Sequence, residues 1–383
     1  MAVGFPTKAN WAAGDVLTAS AQDDLAGTVN LLSNASAASG SQLVSNVAGT
    51  SFAYQATPSA SNPVLNSAMN VWQRGTSFTP ASTTKTYTAD RWCAFRTATG
   101  LTVSRQATGD TTNLPFIQYA SRISRDSGTT STATPYFIQA IETVNTIPFA
   151  GKTVTVSFYA RKGANFSATS NILGLQVYTG TGTDQDPTSF AYTGSSLILD
   201  GTYTLTTTWQ RFTSTISVGS TATEMAFYFK YDPTGTAGAA DYYEVTGVQM
   251  DIGSVALPFR TYAATYQGEL AACQRYYWRS HTNSTYDNFA LGYGKVGSTT
   301  IAQVPVPLKV TMRTAPSSVD YANLYLYDGS TNPSVSAVAF AGLTTTPDSA
   351  FVEATSAVLV ASKPYVLNSG TSTSSYIGFS AEL

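Results

Sequence analysis

Asp90, Glu142, Asp184, Asp186, Asp241 and Glu244 are acids in the central part of this chain that could do chemistry. Two carboxylates held roughly 5–9.5 Å apart suffice to hydrolyse a glycosidic bond, but spacing along strands does not disclose such a pair. Most of these acids read as turn residues or as partners of nearby arginines. Asp184 and Asp186, in GTGTDQDPTS, place alternate oxygens on a loop, the hard donors that a structural Ca²⁺ takes. Asp-x-Asp before proline is also an ordinary turn, and the turn is the favoured reading. The one histidine, His281, lies in the polar stretch RSHTNST, so a Ser-His-Asp or Cys-His set would rest on a single loop imidazole. No His/Cys cluster suits a transition metal, and no glycine-rich phosphate loop with its lysine is present. The two cysteines, Cys93 and Cys273, fall in different expected domains and read as separate buried thiols. No catalysis is predicted, and no cofactor beyond that possible calcium.

The rings are the stronger lead. With 23 Tyr, 18 Phe and 5 Trp, the chain holds more aromatic surface than one core needs. Trp92, Phe158, Phe212 and Phe227 read as core. Tyr178, Phe190 and Tyr192, on or beside TGTGTDQDPTSFAYTG, are the candidate ligand-binding platforms, because tyrosine joins an apolar face to a polar tip. Charged residues are only 11%, against roughly 25% in ordinary soluble domains. The surface must therefore be built from hydroxyls, amides and rings, which suits uncharged ligands such as glycans. Twenty basic against 22 acidic residues give no field for a nucleic acid. No apolar run approaches the ~20 residues of a membrane span, so no membrane insertion is expected, and the opening MAVGFPTKANWAAGDVL does not read as a secretion signal.

These groups must be positioned by strands. Short alternating runs between Gly, Pro, Asn and Asp turns predict an antiparallel sandwich over 63–260. Its strands are expected at Tyr119–Ile123, Lys152–Ala160, Ile172–Tyr178, Trp209–Val218, Met225–Tyr231 and Asp241–Met250. In the last, Val248 and Met250 face one side and Gln249 and Asp251 the other, as in a half-buried strand, and Pro258 ends the run. A connector, 261–279, holds a short helix within Gln267–Trp278. A smaller C-terminal β domain, 280–383, has strands at Ile301–Val310, Val319–Tyr327, Ala357–Ala361 and Tyr376–Phe379. Pro305 and Pro307 mark the first of these as an edge or irregular strand. Upstream, residues 1–17 carry Phe5 and Trp11 with no core of their own, so they should dock on another surface. Leu25, Val29 and Leu32 give 18–38 the four-then-three spacing of a short coiled-coil helix. It needs partners, either two identical chains or its own β domain. Residues 39–62 have Ser/Ala/Gly linker composition.

Asn66, Met69 and Trp72-Gln73-Arg74-Gly75, then Thr88-Ala89-Asp90-Arg91-Trp92, resemble the opening of carbohydrate-binding-module-type jelly rolls carried by many bacteriophage tail proteins. GKTVTVSFYAR from Gly151, Trp209-Gln210-Arg211-Phe212, and the closing Val248–Phe259 strand with Cys273-Gln274-Arg275-Tyr276-Tyr277 continue the likeness in order. The N-terminal stretch is similar to the virion-attachment ends of phage fibres. The resemblance implies a homotrimeric tail or head fibre, or a minor tail protein, assembled in the host cytoplasm into a virion. Its 1–17 segment would dock on other virion proteins through Phe5 and Trp11, and 18–38 would trimerise through Leu25, Val29 and Leu32. Its β domains would serve host attachment as receptor-binding units for surface glycans. A decoration fibre without a receptor and a polysaccharide depolymerase tailspike are the alternatives. In this reading Trp72 and Trp92 are core, and Asp90 pairs with an arginine to lock the first strands.

Overall fold

Val154, Val156, Phe158 and Ala160 alternate along one strand and all enter the same core, as a two-residue period requires. The computed structural model describes residues 41–45, 52–56, 62–81, 83–95, 100–190, 192–342 and 345–383. Phe5, Trp11, Leu25, Val29 and Leu32, with the docking and helical segments assigned to them, lie outside the described residues. Within the stretch read as linker, β1 (Ser41–Ser45) and β2 (Phe52–Ala56) pair as an antiparallel hairpin.

Twelve further strands build the sandwich: β3 (Ser77–Phe78), β4 (Thr86–Tyr87), β5 (Cys93–Phe95), β6 (Leu101–Ala107), β7 (Tyr119–Arg125), β8 (Tyr136–Ile141), β9 (Thr153–Lys162), β10 (Ile172–Gly180), β11 (Ser196–Thr204), β12 (Gln210–Ser217), β13 (Glu224–Lys230) and β14 (Tyr242–Ile252). One sheet runs β11-β10-β13-β8-β5-β4 and faces a second, β12-β9-β14-β7-β6-β3, in a mostly antiparallel jelly-roll arrangement. The core between them is ring-rich. Trp92 stacks on Phe137 at 4.8 Å, and Phe158 meets Tyr203 and Phe229, each at 5.0 Å. Burying each such side chain stabilises the fold by about 1.5–3 kcal/mol.

Two details of β14 depart from the sequence reading. Val248 and Met250 enter the core as expected, but Gln249 and Asp251 are buried as well. The chain leaving the strand folds back over them. Gln249 Nε2 donates to Asp251 Oδ2 at 2.8 Å, Asp251 accepts from Leu257 N at 3.0 Å, and Arg260 closes an ion pair on Asp251 at 2.6 Å. A bulge also interrupts the strand. The register on β9 shifts between Thr246 and Gln249, and Gly247 there has φ +61°.

The second unit begins with helix α1 (Tyr266–Gln274) and continues through β15 (Tyr277–His281), β16 (Asn288–Gly294), β17 (Ile301–Pro307), β18 (Ser318–Ala322), β19 (Tyr325–Tyr327), β20 (Val335–Phe340), β21 (Ser349–Ser356), β22 (Pro364–Asn368) and β23 (Tyr376–Ser380). A three-stranded sheet, β15-β23-β18, packs with a six-stranded one, β19-β22-β16-β17-β21-β20. Trp278, Val304, Val352, Leu367 and Phe379 share their core. Three expectations change here. The Val319–Tyr327 run splits into β18 and β19 at Asn323, whose φ is +52°. Ala357–Ala361 is a connection, with Val358 and Val360 exposed and only Leu359 turned inward. The proline strand β17 lies inside its sheet. Its β16 pairing covers only Ala302 and Gln303, so the exposed Pro305 and Pro307 need no amide on that side.

Candidate functional site

The outer face of the β4–β11 sheet holds an aromatic shelf. β8, β10 and β13 send Phe137, Val177 and Phe227 into the core, so their alternate residues Tyr136, Tyr178 and Tyr228 face outward. Phe95 comes from β5, and Phe190 from the loop between β10 and β11. Tyr228 is buried at the centre. Phe190 stacks on it at 5.1 Å, Tyr178 meets it edge-on at 5.2 Å, and Tyr136 lies 4.9 Å from Phe190. Phe95, Tyr136, Tyr178 and Phe190 remain part-exposed. A polar rim adjoins them, with Gln176 Nε2 donating to Asp200 at 3.0 Å and Lys230 near Asp232 at 3.7 Å.

The 181–195 loop is clamped onto this face. Tyr228 Oη donates to Pro187 O at 2.7 Å, and Gln185 N donates to Glu224 at 2.5 Å. Phe190 sits at φ +52°, a backbone region bulky side chains rarely adopt, and this conformation sets its ring over Tyr228. Tyr192 lies under the loop instead of on its surface, 6% exposed, and burial drives its hydroxyl pKa far up. Of the three expected platforms, Tyr178 and Phe190 therefore reach the surface and Tyr192 supports them from below. Phe95 and Tyr136 were missed, because the YFIQAI run is apolar on both faces and no alternation marks Tyr136 as outward.

Asp184 and Asp186 hold the same loop down. Asp184 pairs with Arg313 at 2.9 Å and accepts from Thr143 N at 2.9 Å. Asp186 caps the Pro187 turn through Thr188 N at 2.8 Å and pairs with Lys85 at 2.8 Å. Burial works to raise the Asp186 pKa, but the Lys85 and Thr188 bonds outweigh it and hold it below the usual carboxylate value. Both carboxylates thus face cations, and no group of three metal-ligating side chains occurs among the described residues. Asp241 meets Arg125 at 2.9 Å with both side chains fully buried. Glu244 takes both Arg122 and Arg161, and Glu142 takes Arg275 at 2.8 Å and Tyr276 Oη at 2.7 Å.

Sequence segments far apart in the chain meet where the two units join. Tyr276 and Tyr277 lie under the guanidinium groups of Arg91 and Arg74, at 3.7 and 3.4 Å. Gln73 Nε2 donates to Tyr277 O at 2.6 Å and to Asp90. Glu269 of α1 accepts from Asn66 N at 2.5 Å, and Arg91 is ion-paired with Glu382. One expectation is corrected. Asp90 is held by the Gln73 amide and backbone, while the neighbouring arginines, Arg74 and Arg91, take Glu382. Trp92 is core as expected. Trp72 is buried and donates Nε1 to Met69 O at 2.7 Å, but it also lines a cleft of about 480 Å³ beside this joint. Exposed His281 borders the same cleft. Cys93 and Cys273 are both buried, and burial pushes the Cys93 thiol up to about 12.

No family profile matches the chain, and no curated protein matches its sequence. Solved structures similar to it include a CBM4 module, 21% identical over 35% of this chain and 71% of that one, with a TM-score of 0.24. The CBM22-1 xylan-binding domain of Paenibacillus barcinonensis Xyn10C is 13% identical over 51% of this chain and 98% of that one, TM-score 0.28. The enzymatically active domain of bacteriophage CBA120 tailspike protein 4 is 15% identical over 43% of this chain, which spans 19% of that one, TM-score 0.27. At such scores none of these likenesses assigns a ligand.

Proposed function

We propose that this chain is a non-catalytic fibre or minor tail component of a phage virion, and that it binds host-surface glycans on the aromatic shelf of its sandwich. The observation that carries the binding reading is the set Phe95, Tyr136, Tyr178 and Phe190, part-exposed on one sheet face that the main core does not use. Ring faces of that size suit the apolar faces of pyranose rings, and the Gln176–Asp200 and Lys230–Asp232 rim suits their hydroxyls. The non-catalytic reading is supported by the engagement of Glu142, Asp184, Asp241 and Glu244 in ion pairs. The phage reading is supported by the ordered Trp-Gln-Arg-Gly, Thr-Ala-Asp-Arg-Trp and Gln-Arg-Tyr-Tyr elements. Homotrimerisation would strengthen a weak site: millimolar binding is about −4.1 kcal/mol, and multivalency adds a factor of roughly 10²–10⁴.

The test is a glycan array probed with the full chain, together with reducing-sugar release from host capsule. Binding without release is expected. A blank array at high valency favours a decoration fibre, and shortened capsule chains would establish a depolymerase.

A further inference from the structure

Three guanidinium groups, those of Arg74, Arg105 and Arg279, line the cleft beside the joint, and no carboxylate lines it. That is a concentration of one sign in a chain whose formal net charge is only −2. Each guanidinium is laid on a ring: Arg74 on Tyr277 at 3.4 Å, Arg279 on Tyr376 at 3.4 Å, Arg105 on Tyr119 at 4.5 Å. Stacking occupies the face of the group and leaves its in-plane N–H fork free to meet an oxyanion. Arg74 already has Glu382 at 3.3 Å. Arg105 and Arg279 have no carboxylate partner among the described residues, and Arg279 Nε is buried without a hydrogen-bond partner.

The strands explain how the groups converge. β15 turns Trp278 into the second core, so Tyr277, Arg279 and His281 share its opposite face. Gly378, opposite Arg279 in the register, leaves room for Tyr277, whose hydroxyl would lie 2.5 Å from a side chain there. Beside His281, the rest of the lining is rich in uncharged hydrogen-bonding groups, with Gln73, Gln274, Thr282 and Ser375 among it, and the exposed ring of Tyr266 at its edge.

We infer that this cleft is a second binding site, for an acidic saccharide whose carboxylate or phosphate is held by Arg279 and Arg105 while the amides, hydroxyls and Tyr266 take the sugar. The inference shares only the carbohydrate class with the shelf reading, and its test keeps the two apart. Full-length protein is titrated calorimetrically with tetragalacturonate, its neutral methyl ester and phosphorylated maltotriose. Binding of either anionic probe and not of the ester is expected, weakening with added salt. A response to tetragalacturonate alone assigns a carboxylate, and to the maltotriose alone a phosphate. Arg279→Gln and Arg105→Gln should each weaken binding by about 10–100-fold, and Tyr178→Ala should leave it unchanged. Because Arg279 helps seat β15, Arg105→Gln, from the sandwich side, is the control against misfolding, with circular dichroism on both. Equal binding of the ester, no binding of any probe, or binding lost in Tyr178→Ala and kept in both arginine variants would overturn the inference.

Discussion

Asp90 shows how much one buried side chain can hold. It is 1% exposed and bonded to Gln73, and burial outweighs its favourable contacts to raise its pKa from 3.8 to about 6. The folded state then keeps a proton that the unfolded chain releases near pH 4. Asp90's contribution is therefore fully present below that point and declines as pH rises toward 6, by up to about 3 kcal/mol. Urea titrations at pH 4 and pH 6 should show Asp90→Asn with a flatter stability-versus-pH slope than the wild type; identical slopes would contradict the assignment. The sequence reading gave Asp90 an arginine partner, and the structure gives it Gln73 instead. Arg74 and Arg91 are adjacent in the motifs, whereas Glu382, which takes both, lies 291 residues beyond Arg91. Ion-pair partners of that separation follow from topology and leave no local trace in the chain.

At the scale of elements, alternation was a dependable guide where one face enters a core. β7, β9, β10, β12, β13 and β14 each lie within a few residues of their expected limits. It failed where a strand is covered on both faces, as at Gln249 and Asp251, and where apolar residues serve a connection, as in 357–361. A short helix was expected within Gln267–Trp278; α1 ends at Gln274, with Tyr277 and Trp278 already in β15, and Thr265, its side chain accepting from Gly268 N at 3.1 Å, fixes its start. The β14 bulge could not be read, because it depends on the close approach of Tyr159 and Ile117. A Cβ at Gly247 would lie 2.7 Å from the Tyr159 ring and 2.9 Å from Ile117, in a left-handed conformation. Gly247→Val should thus destabilise the sandwich by about 1–3 kcal/mol, read as a lowered urea midpoint. An unchanged midpoint would mean that the bulge is not needed.

The described residues form two β units beside the β1–β2 hairpin, and the Asn66, Gln73-Arg74, Arg91 and Tyr276-Tyr277 parts of the resemblance meet where the two units join. Asn66, Gln73, Arg74 and Arg91 from the opening of the chain meet Glu269, Tyr276 and Tyr277 from the connector. The sequence supplied the parts in order but not their contact. The Arg91–Glu382 pair is nearly buried, with side chains 2% and 4% exposed. Removing Glu382 leaves the buried Arg91 guanidinium without its carboxylate, so Glu382→Leu should cost about 3–5 kcal/mol in equilibrium unfolding. A cost below about 1 kcal/mol, the worth of a surface pair, would contradict a buried lock.

The glycan site proposed for the sandwich lies on the shelf of Phe95, Tyr136, Tyr178 and Phe190. The most direct measurement is a titration of the best array glycan into wild type and the Tyr178→Ala/Phe190→Ala double variant, with thermal unfolding of both. Loss of at least about a hundredfold in affinity, the worth of two stacked rings at roughly 1.5 kcal/mol each, is predicted, with both proteins still unfolding cooperatively. Undiminished affinity in the folded double variant would place the site elsewhere.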